Sequence, residues 1–91
     1  MVSPALETAN RRLLDAIETP PESGVERTLD RLAAMTWYYA RETDRPPSPG
    51  RLRQVGWRLS RVEAETDGRK RLLVRDARRA IQRASAGLEA V

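Results

Sequence analysis

Apolar residues recur along this chain at intervals of three and four, and nowhere alternate with period two. In "PSPGRLRQVGWRLSRVEAET", Leu52, Val55, Leu59 and Val62 follow a 3-4-3 spacing, which places them on one face of a helix. Leu6, Ala9, Leu13, Ala16 and Ile17 form a similar stripe near the start. A second stripe runs through Val25, Leu29, Leu32, Thr36 and Tyr39, with Ala33 and Ala40 beside it. The last runs through Leu73, Ala77, Ala80, Ile81, Ala84 and Leu88. Three breaks separate them: "TPPESG" and "RPPSPG", whose prolines cannot continue a helix, and the turn-forming Asp67-Gly68. The pattern predicts four helices, at about 4–18, 24–43, 49–66 and 69–90.

Start signals support these bounds. Ser3-Pro4 and Ser48-Pro49 each pair an N-cap residue with a proline at the first helical position. Ser23 with Glu26 three residues on reads as a capping box. Four amphipathic helices with short connections predict an all-α fold, a compact antiparallel four-helix bundle forming a single domain over 1–91. Alanines dominate the inner face of the fourth helix, so the core is modest, and a homodimer would add buried surface.

Trp57 breaks the third stripe. It falls opposite Leu52, Val55, Leu59 and Val62, with Arg53 and Arg61 four residues to either side. One reading is a cation–π stack of the indole between guanidiniums. Gly56 suggests another, a neighbouring helix close enough to cover the ring. The third is an interface anchor, since Trp and Arg are enriched at binding hot spots. "TWYYA" repeats the oddity: Tyr39 points inward, Trp37 sits at the boundary and Tyr38 points out. The chain holds two Trp, two Tyr and no Phe, so most of its aromatics lie at or beyond the edge of the expected core.

Charge divides the chain. Residues 1–45 carry six Arg and eight acids, a net of −2; residues 46–91 carry eleven Arg/Lys and five acids, a net of +6, which together make the overall +4. Sixteen of the seventeen basic residues are Arg, a skew that reads first as codon bias. Their placement says more. Arg71, Arg75, Arg78, Arg79 and Arg83 spread over the outer face of the fourth helix, interrupted by Asp76 and Glu89. A solvated helix, or one paired with acids on the first two helices, explains such a face; so does a docking surface for nucleic-acid phosphates. No named nucleic-acid-binding motif accompanies it.

The chain has no Cys and no His, which excludes disulfides, Cys/His zinc sites and His- or Cys-based catalysis. An enzyme would rest on Glu42, Asp44, Glu63, Glu65 and Asp67 near helix ends, with Ser48 and Lys70. These sit in polar, turn-rich segments that do not separate carboxylate pKa values. The expectation is no enzyme, with no catalytic residue, cofactor, metal or small-molecule substrate. No apolar run of ~18 residues exists to span a membrane. "MVSPALETANRR" has no apolar signal core, so the expected location is cytoplasmic.

The span from Pro46 to Ala84 resembles the C-terminal half of an uncharacterised family of small helical haloarchaeal proteins. The residues that carry the resemblance are Pro49-Gly50-Arg51-Leu52, Gln54-Val55, Arg58-Leu59, Glu63-Ala64-Glu65, Gly68, and Asp76-Ala77-Arg78 with Ile81. It implies a cytoplasmic helical bundle and brings no activity or site residue. Cytoplasmic proteins of halophiles are typically acidic, whereas this chain is net +4. In molar salt the Debye length falls to about 3 Å, which attenuates phosphate attraction and favours short-range aromatic contacts. The reading that follows is a protein partner or homodimer held through Trp57, Arg53, Arg61, Trp37 and Tyr38. Nucleic-acid binding through the Arg face of the fourth helix is the alternative.

Overall fold

The structure, a computed structural model, describes residues 3–20, 22–41 and 47–89. The chain folds as an all-α four-helix bundle: α1 (Pro4–Glu18), α2 (Glu26–Arg41), α3 (Pro49–Ala64) and α4 (Gly68–Glu89). Among the described residues there is no strand. The Ser–Pro starts are used as read. Ser3 Oγ accepts from Leu6 N at 3.3 Å, and Ser48 Oγ accepts from Arg51 N at 3.2 Å. Each hydroxyl satisfies one of the amides that a helix start leaves without a partner.

Two predicted bounds shift. α2 begins at Glu26 rather than near residue 24, because Gly24 takes a left-handed φ of 85°. The first helical bond of α2 runs from Leu29 N to Val25 O. Glu26 is thus the first helical residue and reaches back. Its carboxylate accepts from Ser23 N, Ser23 Oγ and Gly24 N, each at 2.9 Å. The pairing of Ser23 with Glu26 is real, but it closes the turn before the helix. α3 ends at Ala64 rather than at 66. Thr66 is buried, and its hydroxyl donates to Val62 O and Glu63 O at 3.1 Å, satisfying carbonyls at the helix end. Gly68, at φ 59°, turns the chain into α4, so the last two helices are separate. The expected ends of α2 at 43 and α4 at 90 lie outside the described residues.

α4 packs against both α1 and α3, and α1 also packs against α2. This position explains why α4 buries a wider arc than its stripe suggested. Beside Leu73, Ala77, Ala80 and Ile81 it buries Val74, Lys70 and Ser85, while Ala84 and Leu88 are only partly covered. A helix with neighbours on two sides loses solvent from more than one face. The α3 stripe is used in full: Leu52 and Leu59 are 0% exposed, Val55 1% and Val62 4%. Tyr39 is half-buried against the core. Asn10 of α1 clamps α2, donating to Ala33 O at 2.7 Å and to Thr36 Oγ1 at 3.4 Å.

Lys70 departs most from its place in the sequence pattern: although it falls in a polar, turn-rich segment, its side chain is 3% exposed and lies 2.7 Å from Glu26 Oε2. The pair ties the start of α4 to the start of α2. The Lys70 ammonium, followed by hydrogen bonds from Ser23 and Gly24, holds the Glu26 carboxyl down from its ordinary 4.5 to about 2.

Candidate functional site: an aromatic groove between α3 and α4

The 3-4-3 stripe of α3 turns its apolar residues into the bundle, and this fixes what the opposite face must show. Trp57 is 61% exposed. α4 approaches on the Gly56 side without covering the ring. A Cβ built on Gly56 would lie 3.7 Å from Ile81 Cγ2, an ordinary contact. Arg61 stacks on the indole with its guanidinium carbon 5.2 Å from the ring centroid. Arg61 thus realises the cation–π reading, and the indole remains 61% exposed.

Trp57 forms one wall of a groove of ≈ 400 Å³ between α3 and α4. Leu52, Gly56 and Ile81 contribute its apolar lining. Arg53, Ser60, Gln82 and Ser85 supply polar groups around it. One turn beyond, Arg78 Nε donates to Glu63 Oε2 at 2.8 Å and bridges the two helices. Among the described residues no acid lines the groove, and the nearby Glu63 is already paired.

The other aromatic candidates occupy a different place. Trp37 is 51% and Tyr38 57% exposed, both on α2. Arg41 stacks on Trp37 at 4.8 Å, the same four-residue pairing as Trp57 with Arg61. Tyr38 meets Tyr39 edge-on at 6.0 Å. Arg41 also lines a more polar groove between α1 and α2, with Glu7, Asn10, Arg11 and Leu14. Among the described residues this groove shares none with the one beside Trp57. The five predicted interface residues thus form two patches.

The Arg face of α4 is also sorted. Arg78 is engaged with Glu63. Arg75 is half-buried, its Nη2 3.7 Å from Asp76 Oδ1 and its buried Nε without a hydrogen-bond partner among the described residues. Arg71, Arg79 and Arg83 are exposed. Arg71, Arg75, Arg79 and Arg83 follow one another at four-residue steps, a cationic ridge along the helix.

Of the groups that an enzyme would have drawn on, Glu42 and Asp44 lie outside the described residues. Ser48 caps α3, Glu63 pairs with Arg78, and Lys70 pairs with Glu26. Among the described residues no cluster of acids has the makings of a metal site. Among the described residues no helix is long and apolar enough to cross a membrane.

The Lys70–Glu26 pair is what sequence reasoning missed, although two signals marked it. Lys70 lies four residues before Val74 and seven before Ala77, on the extension of the buried stripe. It is also the one lysine in a chain that otherwise uses arginine. A compact ammonium suits a confined site that a guanidinium, with five donors to satisfy, does not.

Fold and groove together define a small helical bundle that presents an aromatic and cationic surface on its second hairpin. The chain belongs to a family of unknown function, DUF7553, whose model matches residues 1–84. The matched residues take in α1, α2, α3 and most of α4. No curated protein and no solved structure matches the chain.

Proposed function

We propose that the chain is a non-enzymatic interaction module that binds a protein partner, or a second copy of itself, through the outer face of α3. Trp57 is the anchor, flanked by Arg53 and Arg61, and Trp37 with Tyr38 forms a second aromatic patch on α2. One observation carries this reading: a helix that hides all four residues of its apolar stripe leaves its tryptophan 61% exposed beside an apolar groove. Desolvating an indole and its stacked guanidinium against a partner is how hot spots of this residue type act. The setting that goes with the reading is a cytoplasm, and, following the family resemblance, a haloarchaeal one.

The test is Trp57→Ala. Exposure predicts that the variant keeps the wild-type circular dichroism spectrum. Light scattering and chemical cross-linking then show loss of the dimer or of the partner complex. A variant that folds and keeps every association of the wild type sinks the proposal. A second reading, nucleic-acid binding, draws on the α4 ridge of Arg71, Arg75, Arg79 and Arg83. It requires binding to DNA or RNA that weakens steeply with salt, and no binding at ~50 mM salt ends it.

A further inference from the structure

We infer that the groove between α3 and α4 receives an acidic amphipathic helix from a protein partner. The inference rests on the protein-binding reading of Trp57 and names the chemistry of the partner.

Three observations support it. The first is dimension. The lining runs from Leu52 to Ser60 on α3 and from Ile81 to Ala86 on α4. Eight steps of α-helix span about 12 Å, close to the reach of apolar residues at i, i+4 and i+7 on a docking helix. A groove between two antiparallel helices also suits the ridge of a third.

The second is charge. The half of the chain that contains the groove carries a net +6, and Arg53 and Arg61 flank Trp57. Glu63 is occupied by Arg78. Acidic residues beside the apolar stripe of the incoming helix complement this surface through direct guanidinium–carboxylate contacts, which a Debye length of about 3 Å screens far less than longer-range attraction. A second copy docked face to face by a two-fold axis would bring the same cationic surfaces together, which like charges oppose.

The third is Gly56. It sits in the interior of α3, where glycine is unfavourable relative to alanine, although its Cβ would meet nothing closer than 3.7 Å. Packing of α3 on α4 therefore does not require it. Its missing side chain leaves space in the groove that a partner's side chain would use.

The experiment is a selection of displayed helical peptides of about 18 residues, long enough to hold a helix when docked. The apolar stripe is kept, and the flanking positions are randomised among Glu, Gln and Lys. The expected outcome is enrichment of Glu on the wild-type chain. In a Trp37→Phe background, the selected peptide shifts the fluorescence of Trp57. Trp57→Ala weakens binding at least tenfold. Gly56→Ala, which preserves the fold, weakens it about threefold to tenfold, as expected for one misplaced methyl.

Enrichment of Gln or Lys, or equal binding by Trp57→Ala, overturns the acidic-helix inference. So does a single-stranded oligonucleotide that displaces the peptide at matched concentration. If no peptide is selected but wild type is a dimer that Trp57→Ala dissolves, the occupant is a second copy. The inference then fails while the protein-binding reading stands. If no peptide is selected and Trp57→Ala changes no association, both fail.

Discussion

Alanine substitution of three glycines yields opposite signs from a single structure. Gly56 lies inside α3 with ordinary helical φ, and its added Cβ would sit 3.7 Å from Ile81 Cγ2. Replacing a helix-interior glycine with alanine is worth about 1 kcal/mol, mostly through the freedom the unfolded chain loses. The new methyl is partly buried and adds a fraction of the ~0.8 kcal/mol of a fully buried one. Gly56→Ala should therefore stabilise the chain by about 1–1.5 kcal/mol, which raises Tm by roughly 4–10 °C in a domain of this size. Gly24 and Gly68 have nothing within 4 Å of an added Cβ, so steric room alone would predict the same gain. Their φ values of 85° and 59° reverse it. An alanine forced into the left-handed region costs about 1–2 kcal/mol, and Tm should fall. Thermal and urea melts followed by circular dichroism at the helix band measure all three. A lower Tm for Gly56→Ala would mean that α3 and α4 lie closer than the Ile81 contact allows. A raised Tm for Gly24→Ala or Gly68→Ala would refute the assignment of those turns.

The Lys70–Glu26 pair has an acid signature. Because Glu26 is held at about 2 instead of 4.5, its contribution is fully present above pH ~4.5 and is lost as pH falls toward 2. Thermal melts across that window should show this loss, and Lys70→Met should flatten the acid limb; an identical limb in the variant would discredit the pairing. Lys70→Arg should cost about 1–3 kcal/mol in a urea melt, because a larger, flat cation must fit a site that leaves Lys70 3% exposed. Equal stability of the two proteins would refute the argument from confinement. Emission of the free wild-type protein should be red-shifted and readily quenched by acrylamide, as 51% and 61% exposure of Trp37 and Trp57 require. Arg78→Ala should cost less than about 1 kcal/mol, since the Glu63 partner keeps partial access to water. A loss of several kcal/mol would show that this bridge carries the hairpin.

Much of this molecule follows from spacing alone. Periodicity and Ser–Pro caps determined four helices, the start of α1 and α3, and every residue of the α3 stripe, because burial of one helical face is a local, repeating constraint. The same stripe placed Trp57 outside without reference to any neighbour. Its limits were equally physical. Gly24 and Gly68 allow both helical and left-handed backbone, so the local sequence could not set where α2 and α4 begin. Lys70 and Glu26 are 44 residues apart, and Arg78 and Glu63 are 15 apart, so which charges pair depended on which helix ends the fold brought together. Five arginines looked equivalent on one helix until the fold brought Glu63 of α3 to Arg78 and half-buried Arg75. The groove beside Trp57 belongs to neither helix alone: α3 supplies its wall, α4 supplies Ile81 and Ser85, and only their tertiary packing creates the space between them.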